Sequence, residues 1–299
     1  MSKNTKFQLD FIGIGAAKSA TYWIFQCLRS HPEICFSSRK ELHFFDTPYN
    51  YNKGFKYYYS FFTHCPKNKI KGEFTPGYLS SPKAPNLIYA SFPNVKIIAC
   101  LRNPIEKIFS HYRSQIQKNR RFGIYKTFED AIRRNRDLRE QGFYYKQLKR
   151  YYDIFPKENI LITFYNDLKK NPRGFIKKIF LFLQVKNIDF IPPILNKKFN
   201  PTKNYKMKHK IPFINLFLYK IKDKIKRESS LENFIKKITF NKPLEKILVF
   251  NKSRGLYTKK GAIYTPPIKE STRKYLNRIY REDIEKLEKL LNKNLNHWK

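Results

Sequence analysis

A lysine, a glutamate beside a histidine, and an arginine stand at three places where a positive charge or a base would serve chemistry on an anion. Lys18 lies in "DFIGIGAAKSATYWIFQCLRSHPEI" (10–34), where an apolar run gives way to a loop of small residues and then to a helical pattern over Ala20 to Leu28. A loop at the carboxyl end of a strand that opens a helix presents unpaired backbone N–H groups to an anion, and a lysine there adds a mobile charge. The nucleotide-binding pattern GxxxxGK[ST] is not met, because Ile12 and Ala17 occupy the positions of its two glycines. No later segment supplies a Walker-B acid, which counts against an ATPase or an ordinary kinase. Taken alone, Lys18 also fits a solvated lysine in a βα loop.

The second place is "KELHFFD" (40–46), where Glu41 and His43 are two apart between aromatic residues. An extended segment would turn both to one side, and a carboxylate beside a cationic site can take a proton from an attacking hydroxyl or amine. A salt-bridged surface glutamate is the plainer reading of that segment by itself. The third place is "IIACLRNPIEKIFSHYR" (97–113): a strand ends at Leu101-Arg102, Asn103 can cap, Pro104 suits the first helical position, and Ser110 falls in the second turn. Arg102 is thus placed to grip a phosphate in bidentate fashion, although a structural ion pair is nearly as common there.

The elements that must position these residues follow from periodicity. β-like runs at 8–14, 96–101 and 159–165 alternate with helical patterns near 104–118, 127–135, 143–154 and 172–183, which predicts a parallel sheet covered by helices on both faces. Ile284, Leu287, Leu290, Leu291 and Leu295 recur at helical spacing near the end. Residues 197–262 differ, being Lys-rich and broken by Pro201, Pro212 and Pro243; they read as a basic helical insertion in a single domain over 1–299.

Lys and Arg number 62 against 23 Asp and Glu, a formal charge of +39 that points to anionic partners such as nucleotides, nucleic acid, acidic polysaccharide or anionic lipid. Half of that excess is assigned to the Lys-, Asn- and Ile-rich composition that AT-rich codons give. Cys27, Cys35, Cys65 and Cys100 lack CxxC spacing, and three of them lie in apolar runs, so neither a zinc site nor a disulfide framework is expected. "MSKNTKFQLD" has no apolar signal core, and the apolar stretch near Ile211 to Tyr219 is too short to span a bilayer, so a soluble, cytoplasmic protein is expected.

Taken in order, the three segments resemble the sulfotransferases that use 3′-phosphoadenosine 5′-phosphosulfate (PAPS), in particular the branch of heparan sulfate sulfotransferases and their bacterial relatives. "GAAKSATYWIFQCLRSHPEI" resembles the 5′-phosphosulfate loop GxxKxGTTxL followed by HP, "KELHFFD" the catalytic-base segment, and "LRNPIEKIFSHY" the 3′-phosphate motif RxPxxRxxSxY. "GEFTPGYLSSPKAP" (72–85), residues 141–172 and the tail 279–298 also match in order and spacing, so the resemblance covers the chain outside 197–262.

The resemblance implies a P-loop-NTPase-like three-layer α/β fold, PAPS as co-substrate with 3′-phosphoadenosine 5′-phosphate (PAP) as product, and no metal. It implies that Lys18 contacts the 5′-phosphosulfate, that Ala17, Ser19, Ala20, Thr21 and Tyr22 complete its loop, and that Glu41 is the base with His43 in support. Arg102 and Ser110 would hold the 3′-phosphate, with Lys260 and Gly261 forming a second loop for it. Four departures accompany the match: Ala20 stands for a usual glycine, Tyr22 for Thr or Ser, Phe74 for the lysine of the heparan sulfate enzymes, and Lys107 for a frequent arginine. Lys71, three residues from Phe74, is the nearby alternative lysine.

The reading is therefore sulfuryl transfer to a hydroxyl, less favourably an amine, of a carbohydrate or other small acceptor. Two others stand beside it. One is a nucleic-acid or anionic-surface binding protein on a degenerate scaffold of this kind, whose aromatics in "NKGFKYYYSFF" (52–62) would stack bases; packed core and rim aromatics are the favoured reading of that run. The other is a magnesium-dependent nucleotide kinase.

Overall fold

The computed structural model describes residues 7–117, 125, 127–195 and 266–299, and these divide between two compact units. The first unit takes the described residues up to Ile108, those from Glu140 to 195, and those from Tyr275 onward. Its centre is a five-stranded sheet in the order β2-β3-β1-β4-β5, every pairing parallel. The strands are β1 (Phe11–Gly15), β2 (Ile34–Phe36), β3 (Ile70–Phe74), β4 (Lys96–Leu101) and β5 (Ile160–Phe164). β1, β4 and β5 are the three expected from the sequence.

Successive side chains of a strand point to opposite faces, and here both faces are dry. On one face Phe11, Phe74, Ile98 and Cys100 join Trp23, Ile24, Cys27 and Leu28 of helix α1 (Thr21–Arg29) and Phe175, Ile176, Ile179 and Phe180 of a helix over Pro172–Leu183. On the other, Ile12, Ile14, Ile97, Ala99 and Leu101 are likewise fully buried. β1 and β3 interlock closely: a Cβ on Gly13 would meet the Phe74 ring at 2.2 Å, and one on Gly72 the Phe11 ring at 2.2 Å. Glycine at these two positions is what lets the large rings lie across the neighbouring strand.

The aromatic run after Glu41 is mainly packing. After the short helix α2 (Pro48–Tyr51), α3 (Gly54–Tyr59) brings Tyr58 into contact with Phe44, Phe45 and Phe92, Phe62 just beyond it packs on Tyr58, and both rings are buried. Tyr49 is the exposed ring of the group, with the Lys53 ammonium 4.3 Å from its centre. Further helices follow: α4 (Ala84–Ser91), α5 (Pro104–Gln117), α6 (Phe128–Arg134), α7 (Arg136–Glu140), α8 (Tyr144–Tyr152), α9 (Tyr165–Lys170), the Pro172–Leu183 helix as α10, and α11 (Glu270–Leu291).

The tail helix docks by a seam of Leu276, Tyr280, Ile284 and Leu287, all buried. Asp283 on the same helix accepts from the backbone N–H groups of Tyr145 (2.9 Å) and Lys146 (3.2 Å), capping α8 from another element. Burial pushes its carboxyl up to about 6. In the second unit, Phe128 of α6 packs on Phe109 and Tyr112, and Thr127 caps α6 by accepting from the Asp130 N–H.

The expectation about cysteines is corrected. Cys27 and Cys100 are buried thiols, but Cys35 in the middle of β2 and Cys65 after Phe62 form a disulfide, their Cα atoms 5.7 Å apart. Nothing in two isolated cysteines 30 residues apart announces this; the sheet edge and the turn at 60–65 bring them together. His64 Nε2 lies 3.7 Å from either sulfur, so the three side chains become a metal-capable group only once the bond is opened. A closed loop of that length restricts the unfolded chain by about 3 to 4 kcal/mol. Reduction, or Cys35→Ser, is accordingly expected to lower the urea midpoint clearly, and an unchanged midpoint would contradict the bond.

Candidate active site

The Lys18 loop joins the carboxyl end of β1 to α1. Its entrance is tied to β4, where the Ala16 N–H donates to the Cys100 carbonyl at 2.9 Å, and it closes on itself through Ser19 N–H to the Ala16 carbonyl at 3.2 Å. Lys18 and Ala20 both adopt left-handed backbone, with φ of 70° and 59°. Such angles suit glycine, which gives a physical reason for the glycine usual at position 20; Ala20 holds the conformation with its Cβ in place.

Two features of this loop point to an anion. Among the described residues no side chain caps α1, and no acidic residue lies in its first turn, so the positive end of its dipole faces the loop. Ser19 is fully buried, and its hydroxyl makes no well-formed hydrogen bond among the described residues; the nearby Tyr144 hydroxyl instead donates to the Arg102 carbonyl at 3.0 Å. The Tyr22 ring is exposed, its hydroxyl accepting from Gln26 Nε2 at 2.7 Å one turn along the same helix.

Arg102 leaves the carboxyl end of β4, the strand beside β1, and its Nη1 donates to the Lys18 carbonyl at 3.3 Å. Its guanidinium lies 4.9 Å from the centre of the Tyr165 ring. The two residues singled out for opposite ends of one ligand are therefore in direct contact through main chain. Asn103 Oδ1 accepts from the N–H groups of Ile105 (3.0 Å) and Glu106 (3.2 Å), so the expected cap of α5 forms, and Ser110 sits half-buried in that helix's second turn.

Glu41 lies at the end of β3, the other neighbour of β1, its N–H donating to the Phe74 carbonyl at 3.3 Å. The extended geometry expected for Glu41 and His43 is corrected: both are left-handed, with φ of 60° and 52°, in a compact turn. The turn still brings them together, His43 Nε2 being 4.0 Å from Glu41 Oε2. Lys40 pairs with the other oxygen of Glu41. On the far side of the imidazole, His43 Nδ1 meets Asp46 Oδ2 at 2.9 Å, and that bond holds the histidine above its ordinary pKa.

Asp46 was not singled out from the sequence, although it closes the quoted segment; its signal is the i,i+3 spacing from His43 once the segment is known to turn. A Cβ on Gly77 would come within 2.3 Å of Asp46 Oδ2, so the pair packs directly on that glycine. Phe74 is fully buried over Gly13, which leaves no lysine at its position, and Lys71 does not replace one, since its ammonium donates to the carbonyls of Lys67 and Lys69 (both 3.1 Å). Lys107 is buried, its Nζ donating to the Gln141 carbonyl at 2.9 Å and to Gln141 Oε1 at 3.2 Å, and burial pushes it down to about 7. Lys260 and Gly261 lie outside the described residues, as does the 197–262 stretch.

A parallel sheet whose carboxyl edge carries a lysine loop at a helix start, with an arginine on one neighbouring strand and a carboxylate turn on the other, has the form of an anion-binding α/β site. The particular family is the sulfotransferases: the family model described as "Sulfotransferase domain" matches residues 8–298, and the chain belongs to that family, whose co-substrate is PAPS. Among curated relatives it is 32% identical over 137 residues to the membrane-associated sulfotransferase kil1 of Dictyostelium discoideum, a match covering 44% of this chain and 29% of that one. It is 29% identical over 207 residues to heparan sulfate glucosamine 3-O-sulfotransferase 3B1 of Mus musculus, covering 64% and 49%. The chain thus spans half or less of the length of these relatives. The crystal structure of a sulfotransferase from Alicyclobacillus acidocaldarius superimposes with a TM-score of 0.65 at 21% identity, covering 98% of this chain and 99% of that one, and the fold is the P-loop-NTPase-like α/β fold expected. Among the described residues no helix is long and apolar enough to cross a membrane.

Proposed function

We propose that the chain transfers a sulfuryl group from PAPS to a hydroxyl, less favourably an amine, of a carbohydrate or other small acceptor. The observation that supports this best is the convergence on three adjacent strand ends: Lys18 after β1, Arg102 after β4 in contact with the Lys18 carbonyl, and Glu41 held against the end of β3. The left-handed loop and the start of α1, uncapped by side chains among the described residues, fit a bound anion.

When bound, PAPS supplies an activated sulfuryl group on a phosphate leaving group. Lys18 is assigned to the charge that grows on the phosphate oxygen as its bond to sulfur breaks, where a preplaced cation acts most strongly. Arg102, with Ser110, is assigned to the 3′-phosphate, a planar donor fork on a fixed strand end suiting it better than a flexible lysine would. Glu41 takes the acceptor proton as the acceptor oxygen attacks sulfur. His43, oriented by Asp46, and Lys40 stand against the two oxygens of Glu41 and fix the orientation of the carboxylate that is to act as base.

The test is transfer of radiolabelled sulfate from PAPS to a panel of neutral glycans, acidic glycans, small alcohols and amines. Label on a hydroxyl acceptor is the expected outcome. Label confined to amines, or none on any member while PAP binds, would contradict the acceptor class.

A further inference from the structure

The carboxylate turn holds two left-handed, non-glycine residues, and something must fix it. The fully buried Glu73 on β3, pointing to the face of the sheet opposite Phe74, is surrounded by three hydroxyl donors. Tyr58 donates to Oε1 at 2.9 Å, Tyr78 to the same oxygen at 3.0 Å, and Thr75 to Oε2 at 2.7 Å. The Tyr78 oxygen in turn accepts from the backbone N–H of Phe44 at 3.0 Å and, more weakly, from that of Phe45 at 3.5 Å.

A phenol has one proton to give and lone pairs to receive. Tyr78 spends its one O–H on a hydrogen bond to Glu73, so its lone pairs are left to face the amide that follows His43. From this geometry we infer that Glu73 is a positioning residue for the catalytic turn, acting through the Tyr78 hydroxyl on the Phe44 amide to hold Glu41 and His43 in place. The inference rests on the sulfuryl-transfer reading for its effect on rate, but the positioning itself does not. Burial pushes the Glu73 carboxyl up to about 7 against the pull of the three hydroxyls, and the charge of Asp46 in the turn adds to the rise. An acid kept in so dry a place needs all its donors, and a glutamine there would turn an amide N–H₂ toward at least one hydroxyl that has to donate.

The experiment compares wild type, Glu73→Gln, Tyr78→Phe and the double variant by three readouts: PAP affinity by calorimetry, kcat and acceptor KM with the best acceptor of the panel, and hydrogen exchange at the Phe44 amide. Each single variant is expected to lose at least tenfold in kcat with PAP affinity within twofold of wild type. The Phe44 amide is expected to exchange at least tenfold faster, with β4 amides unchanged, and the double variant to be no slower in turnover than the worse single one, because both act through one hydroxyl. Turnover within twofold of wild type, losses that multiply in the double variant, or a parallel loss of PAP affinity would overturn the inference. If wild type transfers sulfate to nothing, the functional reading fails by itself, and the exchange comparison still decides here: unchanged Phe44 exchange overturns positioning. Should Glu73→Gln not fold, Tyr78→Phe, which removes one oxygen, carries the same test.

Discussion

Lys18→Ala is expected to lower turnover by about 10³-fold, the upper range for deleting one preorganised group that meets developing charge. The loss falls on the rate because the leaving phosphate gains charge as its bond to sulfur breaks, whereas the ground-state anion still has the loop amides and Arg102. PAP affinity is therefore expected to drop by only about tenfold, or about 1.4 kcal/mol. Single-turnover rates and calorimetry on the same variant separate the two. The loop should survive the change, since the Ala16–Cys100 and Ser19–Ala16 backbone bonds remain in place. A variant with unchanged turnover would remove Lys18 from the chemistry.

Glu41→Gln is expected to be at least as damaging, at about 10³-fold or more, because it removes the proton acceptor, worth about 10²- to 10⁴-fold, and leaves Lys40 and His43 without their shared anion. PAP binding should be nearly unaltered, since Glu41 stands at the end of β3 while Lys18 and Arg102 follow β1 and β4. The contrast matters more than either number. A glutamine variant that turns over normally with full donor binding would assign the base elsewhere, and one that loses PAP would mean the turn shapes the donor site instead.

How far these roles were legible depends on how local each signal is. Lys18, Arg102 and the Asn103-Pro104 start of α5 are written in contiguous residues, each at a strand end, and the structure brings Lys18 and Arg102 into contact. β3 gives no strand signal because "IKGEF" sets lysine, glycine and glutamate in a row between its only two apolar residues, and β2 is three residues long. Without those strands Glu41 has no anchor that the sequence shows, and its segment reads as extended. The left-handed turn depends on Tyr78 and the Phe74 carbonyl, both distant in sequence, and on Asn50 just beyond the segment, which donates to the carbonyls of Leu42 (3.1 Å) and His43 (3.0 Å). Glu73 reads as a surface charge in any linear scan; only the three hydroxyls that converge on it make it an interior residue. The disulfide was hidden for the same reason.

The most direct measurement is a calorimetric titration of the purified chain with PAP, with ATP and ADP as controls, repeated on Arg102→Ala. The account predicts a clear preference for the 3′-phosphorylated nucleotide that disappears in the variant. No binding at millimolar PAP, or equal binding of PAP and ADP in the wild type, would contradict it; tight, salt-dependent nucleic-acid binding alongside that failure would make the basic chain an anion-binding protein on this scaffold.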